Sequence, residues 1–196
     1  MPNKFYTGKG DKGDTGFFGT AERHPKSSMR VECLGAVDEL GSWVGLCRAK
    51  LVTEERPPSG GLSSVTKSKI LEEVQQNLFI IQGEFGGADV HLNEKHLAKL
   101  EEDIADISKR LPEITSFVLP GASELGAILD ITRTIARRVE RRVVAYAKDT
   151  QLMGAVQGRA REFTLAYLNR LSSLLYVLAR HEAAKRGTQE KTPTYE

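Results

Sequence analysis

Between Arg133 and Arg142 the chain places five arginines (Arg133, Arg137, Arg138, Arg141, Arg142) against one acid, Glu140. On a helix Arg133, Arg137 and Arg141 stack at i, i+4 and i+8, where like charges repel by roughly a few tenths of a kcal/mol per pair. Ordinary surfaces intersperse glutamates to relieve that repulsion. The concentration therefore points to a polyanionic ligand or an acidic partner, and arginine's planar fork suits the oxygens of a polyphosphate. The bland alternative is a solvated basic face or a nucleic-acid contact.

A second candidate is the glycine-rich opening Thr7-x-x-Gly10-Asp11-x-Gly13-x-Thr15. Glycines let successive backbone N–H groups converge on a phosphate, and Lys9 or Lys12 can neutralise its charge. The segment lacks the Gly-Lys-Ser/Thr of a P-loop, and no strand precedes it as in a dinucleotide fingerprint. Taken alone it reads equally well as a flexible tail. Third, Asn169-Arg170-Leu171-Ser172 interrupts a leucine-rich stretch; a buried Asn there needs a partner, either on a ligand or on a neighbouring helix. Fourth, Asp38-Glu39 lies between Val37 and Leu40, so one acid is expected to face inwards and to ask for an arginine. His24, His91, His96 and His181 show neither metal spacing nor a partnering Ser or Cys, so a hydrolytic triad is unsupported. Cys33 and Cys47 stand ~21 Å apart along one predicted helix, too far to bridge, and read as reduced, buried thiols without a zinc-ligand pattern.

The elements that position these groups follow from periodicity. Five glycines before residue 20 keep residues 1–28 out of a helix. Val31, Leu34, Val37, Leu40 and Val44 then recur at helical spacing and predict a first helix from Met29 to about Leu51. Arg56-Pro57-Pro58-Ser59-Gly60-Gly61 is a linker. A second helix is expected from about Ser64 to Phe85, ended by Gly86-Gly87. A third is capped by Asn93 and stopped by Leu111-Pro112. Phe117-Val118-Leu119-Pro120-Gly121 is an apolar loop. Ser123 caps a fourth helix reaching about Lys148, and a fifth follows the Asp149–Gly158 connection to end at Gly187. No alternating strand is evident. The expected fold is all-α, an antiparallel five-helix bundle (29–187) in a single domain spanning 1–196, with a glycine-rich loop (1–28) and a frayed tail (188–196). The fourth and fifth helices are apolar over more than one face, which suits a central position or a subunit contact.

The 196 residues, 40% hydrophobic, suffice for one core without disulfide or metal. A net charge of +2 argues against a polycation coating nucleic acid. No apolar run reaches the ~18 residues of a membrane span, and Met1-Pro2-Asn3-Lys4 opens no signal peptide. The expectation is a cytoplasmic protein without membrane or nucleic-acid partners.

Taken together and in this order, Tyr6-Thr7-x-x-Gly10-Asp11-x-Gly13-x-Thr15, Val37-Asp38-Glu39-Leu40, Phe117-Val118-Leu119-Pro120-Gly121, Arg133-x-x-x-Arg137-Arg138-x-Glu140-Arg141-Arg142 and Leu168-Asn169-Arg170-Leu171-Ser172 resemble the corrinoid adenosyltransferase family, the ATP:cob(I)alamin adenosyltransferases of the propanediol-utilisation type. The likeness covers nearly the whole chain. Gly8 stands where that family often has lysine, and His24 where many members carry a basic residue. The resemblance implies a homotrimer with active sites at subunit boundaries. It implies ATP binding through Thr7, Gly8, Lys9, Gly10, Thr15, Gly16 and Lys26 of one subunit, and through Arg137, Arg138, Val139, Glu140, Arg141 and Asn169. Asp38 and Arg133 would form an intersubunit ion pair, and Phe117 would close the lower face of the corrin ring. Cys33 and Cys47 receive no role. The implied reaction is attack of a Co(I) corrinoid on C5′ of ATP with release of triphosphate, whose charge the arginines and Mg²⁺ would stabilise; the protein itself would bind no metal. A reductase and an adenosylcobalamin-dependent acceptor enzyme are implied partners. The rival readings are a nucleic-acid-binding helical module and an ATP sensor without turnover.

Overall fold

The computed structural model describes residues 5–53, 62–148, 159–185, 187 and 190–194. The Arg56–Gly61 linker and the Asp149–Gly158 connection expected from sequence lie outside them. The described residues form five helices: α1 (Met29–Thr53), α2 (Ser64–Gly86), α3 (Glu94–Ser108), α4 (Glu124–Lys148) and α5 (Arg159–Lys185).

Their boundaries have local causes. Ser63 Oγ accepts the Thr66 amide at 3.0 Å to start α2, and Ser123 Oγ accepts that of Gly126 at 3.0 Å to start α4, satisfying donors that an uncapped first turn leaves unpaired. Asn93 and His96 cap α3 reciprocally: Asn93 Oδ1 accepts from the Lys95 amide and His96 Nδ1 from the Asn93 amide. Gly87 ends α2 at φ 89°, a left-handed conformation that a side chain would strain. α3 ends at Ser108, before the expected stop at Leu111-Pro112, because Arg110 and Leu111 close tight turns onto Ile107 and Ser108.

Cross-helix contacts set the directions. Glu32 meets Arg142, Glu39 meets Arg138 and Cys47 meets Thr132, so α1 and α4 run antiparallel. Asp38–Gln82 and Arg48–Glu72 make α1 and α2 antiparallel. Asn169–Glu140 and Arg180–Asp130 do the same for α5 and α4. Glu84–Thr164, Asn77–Tyr167 and Lys67–Glu182 link α2 to α5 along their length. The four long helices thus close a bundle around Val37, Leu40, Leu78, Ile81, Val139, Leu171 and Leu175, each at most 1% exposed, while α3 packs outside on α5. Cys33 and Cys47 are free and fully buried, as expected, and burial pushes both thiols up to about 11.

Two further features depart from the expected fold. The opening is not strandless: β1 (Asp14–Gly16) and β2 (Arg23–Pro25) pair antiparallel with Thr15 opposite His24. Three-residue strands are too short to show an alternating pattern. Nor is the tail frayed over 190–194. The Leu119 amide donates to the Lys191 carbonyl at 2.7 Å, and Arg180 Nη1 meets Glu190 Oε1 at 2.9 Å.

Candidate functional site

The hairpin shapes the glycine-rich opening. Arg23 donates to the Lys9 carbonyl at 2.6 Å and to Asp14 Oδ1 at 2.5 Å; that hydrogen bond to Arg23 holds the Asp14 carboxyl below the usual range. The Lys26 amide donates to the Gly13 carbonyl at 2.8 Å, and Gly13 sits at φ 85°. A Cβ at Gly10 would lie 3.1 Å from Lys26 Nζ and 3.2 Å from the Asp14 carbonyl, so glycine is what lets Lys26 fold over the loop. Gly10 and Lys26 thus come together, Thr15 lies on the adjoining strand opposite His24, and Thr7, Gly8, Lys9 and Gly16 are exposed. Not every amide is free for a ligand: those of Asp11 and Gly13 close turns onto Gly8 and Gly10, and that of Lys9 reaches Thr7 Oγ1.

The loop docks on the bundle by way of α1 and α2. The Phe18 amide donates to the Gly86 carbonyl at 2.8 Å, Arg30 Nε to the Phe85 carbonyl at 2.7 Å, and the Arg30 guanidinium lies 3.8 Å from the centre of the Phe17 ring. Sequence reasoning missed Arg30 and Arg23, since neither stands in a recognisable motif.

The arginine stripe on α4 divides in two. Arg138 Nη2 donates to both oxygens of Glu39 at 2.7 Å, and Arg142 meets Glu32 at 2.9 Å. Arg133 Nε donates to Asp130 at 3.0 Å, a carboxylate one turn back on the same helix. The expected repulsion is therefore relieved, by acids on α1 and one three residues upstream. Arg137 and Arg141 are exposed and have no partner among the described residues. Val139 is wholly buried, so its side chain packs beneath the stripe. A continuous cationic track for nucleic acid is not what this helix presents, because three of its five arginines already carry carboxylates.

Asn169 is exposed, not buried as expected: it donates to Glu140 Oε1 at 2.7 Å and accepts from Arg170 Nη1 at 2.7 Å. Two expected site residues thus meet across α4 and α5, beside Arg137 and Arg141. Both Asp38 and Glu39 face outwards, against the expectation that one turns in; the inward arc of α1 is already filled by Val37, Leu40 and Val44. Within the chain Asp38 meets Gln82 Nε2 at 3.4 Å and Arg133 meets Asp130, so the two do not pair with each other. Phe117 is 81% exposed on its loop, so within the chain it does not plug a gap between helices.

Among the described residues no group of three or more His, Cys, Asp or Glu is arranged to hold a metal, and no helix is long and apolar enough to cross a membrane.

Comparison with known proteins gives one answer. The pattern of the cobalamin adenosyltransferase family matches residues 5–182. A corrinoid adenosyltransferase of Bacillus subtilis (strain 168) is 38% identical over 188 residues, 94% of this chain and 89% of that protein. The Homo sapiens corrinoid adenosyltransferase MMAB is 34% identical over 198 residues, 96% of this chain and 72% of that protein. Among solved structures, a variant PduO-type ATP:corrinoid adenosyltransferase from Lactobacillus reuteri, complexed with cobalamin and ATP, superposes with a TM-score of 0.81 at 28% identity, over 98% of this chain and 97% of that one. The order of motifs, the bundle that carries them and these likenesses agree: the chain belongs to the cobalamin adenosyltransferase family.

Proposed function

We propose that this protein transfers the 5′-deoxyadenosyl group of ATP to the cobalt of reduced cobalamin, giving adenosylcobalamin and triphosphate. The observation that carries the reading is the pair Arg137 and Arg141, exposed and without partners among the described residues, beside Glu140–Asn169. Two guanidiniums at i and i+4 offer forked donors to the oxygens of a leaving triphosphate. Such donors are worth most where charge develops in the transition state. Cobalt(I) is itself the nucleophile, so no side chain need act as base, which agrees with the lack of a triad arrangement in the sequence. Mg²⁺ would enter with the nucleotide substrate, since among the described residues no group of three or more His, Cys, Asp or Glu is arranged to hold it.

The glycine hairpin and Lys26 bind the polyphosphate from another side, in a site completed between subunits of a homotrimer. Support for the assembly comes from apolar side chains left in the open, Phe79 at 72% and Ile131 at 45% exposure. The Asp38 carboxylate, which among the described residues accepts from Gln82 Nε2 at 3.4 Å, reaches Arg133 of a neighbouring subunit. Phe117 covers the lower face of the corrin and excludes water or base from the cobalt, which keeps Co(II) reducible. A reductase upstream and an adenosylcobalamin-dependent enzyme downstream are the partners this chemistry calls for.

Mixing the protein with ATP, Mg²⁺ and chemically reduced cobalamin tests the reading. The visible spectrum should convert to that of adenosylcobalamin with one triphosphate released per cobalt. ATP binding without that conversion would leave a nucleotide sensor instead.

A further inference from the structure

Where α4 begins and α5 ends, four charged side chains form one network. Asp130 accepts Arg133 Nε on Oδ1 at 3.0 Å and Arg180 on Oδ2, and Arg180 reaches Glu190 Oε1 through its other nitrogen at 2.9 Å. The side chains of Asp130 and Arg180 are each 5% exposed, and that of Glu190 18%. The next residue, Lys191, turns its carbonyl to the Leu119 amide at 2.7 Å, two positions from Phe117. Among the described residues this is the backbone hydrogen bond that ties segment 112–122 to another part of the chain. Beneath the segment lies a cavity of about 280 Å³, lined by Leu111, Ile114, Val118, Arg180, Ala184 and Glu190.

Buried ion pairs are a poor source of stability, since apolar residues of similar volume often serve as well. What this one supplies is geometry. A single guanidinium fork holds two carboxylates at set positions; one orients Arg133, and the other anchors the strap on which the Phe117 loop hangs. The two residues joined in this way are the two assigned above to the subunit boundary and to the corrin face.

We propose that Arg180 is a positioning residue for adenosyl transfer, holding Arg133 through Asp130 and the Phe117 loop through Glu190 and the 190–191 strap. The role rests on the corrin-facing reading of Phe117. It predicts that loosening the strap acts on the corrinoid side of the reaction and spares the nucleotide side.

The test uses the full chain with Glu190→Ala, which cuts the strap at its partly exposed end, and Arg180→Lys, which keeps the charge but loses the fork. Hydrogen exchange should speed up roughly tenfold or more at the Leu119 amide in Glu190→Ala, with the interiors of α4 and α5 unchanged. Activity starting from cob(II)alamin with a mild reductant should fall roughly fivefold or more relative to activity from pre-reduced cob(I)alamin, with the KM for ATP within about twofold of wild type. Arg180→Lys should move both readouts in the same direction; if it does not fold, Glu190→Ala decides. Unchanged Leu119 exchange would overturn the strap, and equal losses in the two assays would overturn its positioning role. A wild-type protein without adenosyl transfer would instead remove the functional reading, and the exchange data would still judge the strap separately.

Discussion

Arg137 and Arg138 are neighbours in sequence on one helix, yet they meet different surroundings. Arg138, like Arg142 one turn on, leans onto α1 and closes on a carboxylate. Arg137 and Arg141 point into the open with no partner among the described residues. One hundred degrees of helix rotation separates a pair spent on joining helices from a pair available to a ligand. Residue type alone does not separate the two pairs; the carboxylates of Glu39 and Glu32 on α1 do.

The largest effect is expected where that contrast is sharpest. Arg137→Ala should lower kcat/KM for ATP by ~3 kcal/mol, roughly a hundredfold, while the melting temperature stays put because no described contact is lost. Near wild-type kinetics would take Arg137 out of the site. Next comes Asp38→Asn. Exposed in the single chain, Asp38 should matter to assembly: breaking an ion pair across a partly buried boundary costs ~3 kcal/mol, so sedimentation should show trimers dissociating on dilution. A variant that remains a full trimer would mean that Asp38 does not meet Arg133.

Phe117→Ala should separate the two substrates. At 81% exposure the side chain leaves no cavity behind, so melting and ATP affinity should hold. Activity from cob(II)alamin should collapse while activity from cob(I)alamin largely survives, because Co(I) holds no strong axial ligand to exclude. A lower melting temperature with equal losses in both assays would contradict the corrin-facing role.

Two buried glutamates extend the comparison to pH. Burial raises Glu84, and its bonds with Thr164 and His91 only partly offset that. For Glu182 burial also pushes upward, but His181 and Lys67 overcome it and hold the carboxyl at about 2, against an ordinary 4.5. A depressed carboxyl stabilises the fold above its unfolded pKa and loses that contribution as pH falls through the folded one. Glu182 should therefore contribute at neutral pH and lose that contribution as pH falls from 4.5 towards 2. Glu84 has the opposite sign, costing stability as pH rises past its unfolded value. Denaturant titrations from pH 6 to 2 should show a steep acid loss that Glu182→Gln flattens and Glu84→Gln does not. The smallest effect is expected for Arg138→Ala: its ion pair with Glu39 is partly exposed on both sides, and such pairs contribute about 1 kcal/mol at most.

The helices were legible because apolar spacing and capping residues are local. Asn93 and Ser123 mark starts in the sequence as they do in the fold, and the Ser63 cap sits one residue before the expected start of α2. The candidate site residues were named as motif members, and the fold brings Gly10 to Lys26 and Glu140 to Asn169. What escaped was non-local. Nothing near Arg138 or Arg142 shows that Glu39 and Glu32 lie opposite, about a hundred residues earlier. Asp38-Glu39 misled because two polar positions inside an apolar repeat can both fall on the outer arc. The docking of Glu190 and Lys191 onto Arg180 and Leu119 is likewise tertiary, and a polar tail carries no periodicity to announce it.

The contrast along α4 is tested most directly by calorimetric titration of inorganic tripolyphosphate into two double variants. Arg137→Ala with Arg141→Ala should weaken binding roughly tenfold or more, and Arg138→Ala with Arg142→Ala should stay within about threefold of wild type. Equal losses in the two variants, or a larger loss in the second, would contradict the assignment of the unpaired arginines to the triphosphate.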